Sequence, residues 1–315
     1  MIAGILAGRP DCTISRTPEA KALGIKTGDP YFKICGFCEA QGVRVLSSNY
    51  MLYGDMSARI NAIYRDATPD VEVYSIDESF HDLTGFVRRD RVALARDVSA
   101  TVRAWACIPT CIGIGPTKTL AKLANHVAKT VPELDGICDL TESAAYEYWL
   151  CRIHVDGLCG VGRASLPKLE ALGIDTAADL REIDPRPVRK ALTVVGERMI
   201  HELHGVSCLG LELVLARRKG CAVTRSFSSR VTECAELEQV VAAQATRLGE
   251  KLRREGLGTD HIIVFYHTSE LDRGELMRTV STVVTLPEAT NDALALIPAA
   301  LHEGAPTWRE QGSPP

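Results

Sequence analysis

Between Val71 and Leu83 the sequence VEVYSIDESFHDL alternates as a strand does and then breaks at its centre. Val71, Val73 and Ser75 fall on one face and Glu72, Tyr74 and Ile76 on the other, the period of two that a pleated backbone imposes. Adjacent residues of a regular strand point to opposite faces, so the carboxylates of Asp77 and Glu78 converge only at a strand end or tight turn. The pattern predicts two short strands joined by a turn that displays both. Hard oxygen donors gathered there suit Mg²⁺, which works on phosphates through few protein carboxylates. The pair by itself reads more often as a solvated acidic turn.

A second segment adds to this. CIPTCIGIG (107–115) is an apolar strand running into a Gly-x-Gly turn, followed by a helix from Thr117 to about Lys129 that carries Lys118, Lys122 and Lys129. The arrangement resembles a phosphate-cradling turn, although it lacks the Gly-Lys-Ser/Thr ending of a P-loop, and helix lysines are usually solvated.

At 315 residues the chain is too long for one core, so two or more domains are expected. The first fifty residues read as Gly-rich and irregular, with one short helix at 17–25 started by Thr17 and Pro18 and closed by Gly24. Helices are expected from about Tyr50 to Asp66 and over 88–106. Residues 156–174 read as a short helix, a Gly-x-Gly turn and a second helix. A long helix (234–255) and strands at 260–268 and 277–286 suggest a small α+β unit, and the tail from Glu303 reads as frayed. The net charge of -4 does not advertise nucleic-acid binding. Locally, however, residues 214–230 hold Arg217, Arg218, Lys219, Arg225 and Arg230 and no acidic residue. The 11 cysteines, with no export signal in MIAGILAGRPDC, read as reduced thiols. No apolar run reaches the ~18 residues of a membrane span, so a cytoplasmic protein is expected. Cys35-x-x-Cys38 lacks a second pair for zinc, His201 and His204 lack metalloprotease spacing, and Trp105, Trp149 and Trp308 form no stacking array.

Taken in order, TPEAKALGIKTGDPYFK, SSNYMLYGDMSAR, EVYSIDESFHDLTG and CIGIGPTKTLAKLANHVAK resemble a Y-family DNA polymerase of the UmuC subfamily. VDGLCGVGRASLPKLEALGI is similar to that family's helix-hairpin-helix thumb. The resemblance implies an α+β multidomain fold, a right-hand polymerase with fingers (1–49), an α/β palm (50–150), a helical thumb (151–212), a basic linker (213–230) and an α+β little finger (231–315). It implies translesion synthesis in the SOS response, with Mg²⁺ as cofactor, dNTP and damaged primer–template DNA as partners, and a sliding clamp and a UmuD-like subunit as further partners.

Residue by residue, Asp77 and Glu78 match the acidic pair that holds the catalytic metals. Lys129 and Arg16 match residues that contact the triphosphate. Gly160 and Gly162 match the hairpin glycines that approach a DNA phosphate, and the five basic residues of 214–230 fall where template and primer phosphates pass. Two departures stand out. The family's opening strand, with its first metal-binding aspartate, has no counterpart here, since Asp11 matches a fingers-loop position. The last little-finger strand and the tail beyond it are also missing. The expectation is a polymerase, or alternatively a catalytically impaired DNA-binding fragment of one.

Overall fold

The computed structural model describes residues 4–8, 12–86, 90–214, 219–225, 227, 231, 233–267 and 279–310. The chain divides into two compact units, one of residues 49–215 and one of residues 1–48 with 216–315.

The first 48 residues are ordered as β1 (Gly4–Gly8), β2 (Cys12–Arg16), α1 (Pro18–Ala22), α2 (Tyr31–Ala40) and β3 (Arg44–Ser47). β1 is central, antiparallel to β2 and parallel to β3. Thr17 caps α1 by accepting from the Ala20 N–H, Pro18 opens it, and Gly24 leaves it at φ +83°. That helix was legible from sequence. The sheet and α2 correct the expectation of an irregular segment. Each strand is only four or five residues long, and the parallel partner comes from the far side of two helices, so no local alternation announces it.

In residues 49–215, α3 (Tyr50–Ala67) begins at Asn49, whose side chain accepts from Leu52 N–H, and ends before Pro69. β4 (Val71–Val73) and β5 (Ser79–His81) form the expected antiparallel hairpin, with Glu72 opposite Phe80. The turn closes where Tyr74 and Ser75 both donate to the Glu78 carbonyl at 3.0 Å. α4 (Arg91–Ala106) starts at Asp90, which caps Val92 and Ala93. Next come β6 (Ile112–Ile114), α5 (Lys118–Thr130) and β7 (Ile137–Asp139), with β6 and β7 parallel. A parallel pair needs a crossover, and α5 supplies it.

Gly113 and Gly115 are packing residues in this crossover. A Cβ on Gly113 would lie 2.1 Å from the Asn125 nitrogen, and one on Gly115 would lie 2.7 Å from that of Ala121. Their lack of side chains lets β6 lie directly on α5. The reading of this Gly-x-Gly as a phosphate cradle is therefore corrected.

α6 (Ser143–Leu150) leads through a 3-10 turn at Val155–Gly157 to α7 (Leu166–Glu170), α8 (Ala177–Glu182) and α9 (Pro185–Leu203). One core runs through these elements. Leu120, Leu123 and Val127 of α5 pack with Leu150, Leu169, Leu180, Val188, Ile200 and Leu203. α9 breaks at Thr193, a β-branched residue at φ 65°.

At the C-terminal end of α9, Glu202 is 0% exposed. Its carboxylate accepts from the N–H groups of Thr119 (3.0 Å), Cys208 (2.6 Å) and Leu209 (3.1 Å). Its carbonyl accepts from the Thr117 hydroxyl at 2.9 Å. The charge thus sits at the positive end of α5 and satisfies one of its orphan donors.

The remaining elements are α10 (Cys234–Arg254), β8 (Thr259–His267), β9 (Thr279–Thr290) and α11 (Ala293–Glu310). β8 and β9 pair antiparallel and turn Ile262, Val284 and Leu286 onto Ala245, Leu252, Leu296 and Ala300. The chain is helical through Glu310, where sequence had suggested fraying.

Glu202→Ala would leave the N–H groups of Thr119, Cys208 and Leu209 without their acceptor, the first of them buried, and should cost about 3 kcal/mol. Glu202→Gln should cost less, because its amide oxygen still serves one side. Urea midpoints of the three proteins at constant m-value test this ordering.

Candidate functional site

The β4–β5 hairpin and α5 meet in a repeated pattern. Glu72, Tyr74, Glu78 and Phe80 share one face of the hairpin, as their even spacing and the register require. α5 presents Lys118 and Lys122, one turn apart, to that face. Lys118 pairs with Glu72 and lies 5.0 Å from the centroid of the Phe80 ring. Lys122 Nζ lies 2.9 Å from Glu78 Oε2 and 4.6 Å from the centroid of the Tyr74 ring. The two rings meet edge to face at 5.3 Å. Each ammonium is therefore held between a carboxylate and an aromatic face, an arrangement favourable on both sides.

The two pairs differ in depth. The Glu72 side chain is 6% exposed, and the oxygen that pairs with Lys118 also accepts from the Glu212 N–H at 2.9 Å. The Glu78 side chain is 38% exposed. Lys122 additionally donates to Cys159 Sγ at 3.2 Å, in the segment leading to α7. Burial works against the Lys122 ammonium, but its hydrogen bonds to Glu78 and Cys159 outweigh that and hold its pKa above the ordinary lysine value.

Asp77 lies at the same turn, exposed, with Oδ1 accepting from the Ser75 hydroxyl at 2.6 Å. The neighbouring carboxylates thus have different partners. Among the described residues no three of His, Cys, Asp and Glu gather as a metal-binding group. The donor set of Asp77 and Glu78 nonetheless fits a hard divalent cation, with two carboxylates at a solvent-accessible turn.

The other sequence candidates are spread more widely. Lys129 is exposed in the last turn of α5, seven residues beyond Lys122 and so about 10 Å along the axis. Arg16 Nη1 donates to the Ile25 carbonyl at 3.0 Å and ties β2 to the loop after α1. Gly160 has φ +97°, and a Cβ there would lie 3.0 Å from Met199 Cε, whereas Gly162 faces open space. The two glycines sit in an irregular turn between a 3-10 helix and α7, the first shorter than the helix expected. Lys219 and Arg225 are exposed, while Arg217, Arg218 and Arg230 lie outside the described residues. Cys35 and Cys38 lie one turn apart on α2, where burial first, and then Cys35 and Glu39, raise the Cys38 thiol pKa.

From sequence, Lys122 is one of three helix lysines and Tyr74 one residue of an alternating strand, with nothing to pair them with Glu78, and Cys159 carries no signal. The signal available for the first two was a match of periods. Residues four apart on α5 can face residues on one side of an antiparallel hairpin.

Residues 3–126 match the impB/mucB/samB family, and residues 218–308 match the C-terminal domain of that family. The chain is 41% identical over 308 residues to Protein UmuC of Salmonella typhimurium, covering 97% of this chain and 73% of that protein. It is 36% identical over 307 residues to Protein MucB of Escherichia coli, with the same coverages of 97% and 73%. DNA polymerase IV 1 of Bacillus subtilis is 25% identical over 313 residues, 98% of this chain and 72% of that one. Among solved structures, a Y-family DNA polymerase chimera of Dbh and Dpo4 superposes with a TM-score of 0.72 at 17% identity, over 96% of this chain and 86% of the other. That likeness speaks for the fold.

Behind the hairpin, His81 Nδ1 lies 2.7 Å from the Thr68 hydroxyl, and the Tyr64 ring meets the imidazole edge-on at 4.8 Å. Burial pushes the His81 pKa down to about 4. An unfolded histidine takes up its proton near pH 6.5, so the folded state resists a protonation that the unfolded state accepts. The contribution is fully present above pH ~6.5 and is lost as pH falls from there toward 4, by roughly 2–3 kcal/mol. Urea unfolding of wild type and His81→Gln between pH 7 and 4.5 should show a smaller loss of stability in the variant.

Proposed function

The chain belongs to the impB/mucB/samB family, and on that premise we propose that it is a Y-family translesion DNA polymerase, which joins deoxynucleotides to a primer 3′-hydroxyl opposite damaged template. The observation that carries this reading is the turn of the β4–β5 hairpin. It sets Asp77 and Glu78 side by side in a segment matched by the family, next to a lysine-bearing helix.

In this reading Asp77 and Glu78 hold Mg²⁺, which would neutralise charge on the triphosphate and the leaving group. The chain's own residues bind and orient. The exposed Lys129 ammonium and Arg16 serve the triphosphate as cationic partners. The N–H groups of Gly160 and Gly162, with little or no side chain in the way, suit a close DNA phosphate. Lys219 and Arg225, with Arg217, Arg218 and Arg230, neutralise template and primer phosphates along the 213–230 linker. Fingers (1–49), palm (50–150), thumb (151–212) and little finger (231–315) divide the work. A sliding clamp and a UmuD-like subunit are the proposed protein partners, and the cytoplasm the proposed location. No helix among the described residues is long and apolar enough to cross a membrane.

A second reading, a DNA-binding chain with little catalysis, is favoured by one observation. Both carboxylates already have partners, Asp77 in Ser75 and Glu78 in Lys122.

Two measurements separate the readings. Primer extension with Mg²⁺ and dNTPs should fall at least ~100-fold in Asp77→Asn/Glu78→Gln, the consequence of losing about 3 kcal/mol or more of electrostatic stabilisation. DNA affinity of the same variant should stay within about twofold, because phosphate contacts elsewhere carry it. Extension that is undetectable in wild type, with DNA binding intact, selects the second reading. Binding should weaken with salt in either case, and neutralising Lys219 and Arg225 together should reduce the log–log slope by about 2.

A further inference from the structure

The contrast between the two lysine–glutamate pairs has a functional consequence. Lys118–Glu72 is closed from every side: the carboxylate is buried and shared with the Glu212 N–H. Lys122–Glu78 is built to open. Glu78 is more than a third exposed, and the Lys122 ammonium has two other partners in place, the Tyr74 face and Cys159 Sγ. If Glu78 were withdrawn, those two would still hold the ammonium. The adjacent Asp77 is exposed and, among the described residues, its side chain bonds only the Ser75 hydroxyl, so it is open to a cation that would also take Glu78.

We propose that Lys122 is a positioning residue, the resident counter-cation of Glu78. It holds that carboxylate in the hairpin turn before metal arrives and yields it to a divalent cation by moving onto Tyr74 and Cys159. This rests on reading Asp77 and Glu78 as metal ligands. Lys122 and a cation at Glu78 compete for one carboxylate and repel each other across a short distance. The lysine therefore lowers cation affinity while keeping the ligand from splaying into solvent, and couples metal loading to a contact between α5 and the segment leading to α7.

The test uses the full chain and Mn²⁺ alone, with free Mn²⁺ read by electron paramagnetic resonance. Lys122→Met should bind Mn²⁺ about tenfold tighter than wild type, the effect of removing one partly screened ion pair. Lys122→Arg, which keeps the charge, should bind within about threefold of wild type. Asp77→Asn/Glu78→Gln should abolish this binding with or without Lys122. If Mn²⁺ binds in a manner that needs Asp77 and Glu78 but ignores Lys122→Met, the inference fails and the metal reading stands. If no variant binds Mn²⁺, both fail. A second measurement does not depend on the fold of Lys122→Met. The Lys122 resonance of ¹³C-methylated wild type, assigned by its absence in Lys122→Arg, should shift on addition of Mg²⁺ and stay fixed in Glu78→Gln. A resonance indifferent to Mg²⁺ in wild type would overturn the proposal.

Discussion

The carboxylate of Glu202 is the constraint on which the 49–215 unit turns. A fully buried charge is costly unless it is completely satisfied, and this one takes two backbone donors from its own following loop and one from the first turn of α5. It therefore fixes the start of α5 against the end of α9. The Thr117 hydroxyl, donating to the Glu202 carbonyl, closes the same junction from the other side. α5 and α9 are joined here by a hydrogen-bonded carboxylate as well as by shared apolar core.

The acidic hairpin is held by α3, through Thr68 and Tyr64 on His81 and Asn61 on Ser79, and its Glu72–Glu78 face is met by α5. The apolar stripe of α5, Leu120, Leu123 and Val127, is committed to the core, so its lysines must face the hairpin or solvent. Gly113 and Gly115 bring β6 against the same helix at a distance no side chain would permit. Held from below by strand and from its end by Glu202, α5 offers Lys118 and Lys122 at fixed height to Glu72 and Glu78. One pair is buried and structural. The other stays accessible at the turn beside Asp77.

Net charge is a poor guide to such a molecule. At -4 the chain as a whole repels polyanions weakly, yet its acidic residues are partly used up in pairs with lysines while Lys129, Lys219 and Arg225 stay exposed. What decides an encounter with phosphate is the local field within about a Debye length, roughly 8–10 Å at ordinary salt.

The sequence determined those features whose cause is local. Alternation broken at Asp77–Glu78 forces a hairpin turn, Thr17-Pro18 and Thr117 announce helix starts, and long motifs in fixed order identify the family. Period and capping chemistry act within a few residues, so they can be read without coordinates. The tertiary structure decided what depends on partners distant in the chain. A parallel strand pairs β1 with β3 across two helices, and Glu202 caps a helix at Thr119, 83 residues before it. Glycines that resembled a phosphate turn proved to be the floor under a helix. Which lysine meets Glu78 was settled by the register of α5 over the hairpin, because charge has no period of its own and takes its meaning from what the fold places opposite.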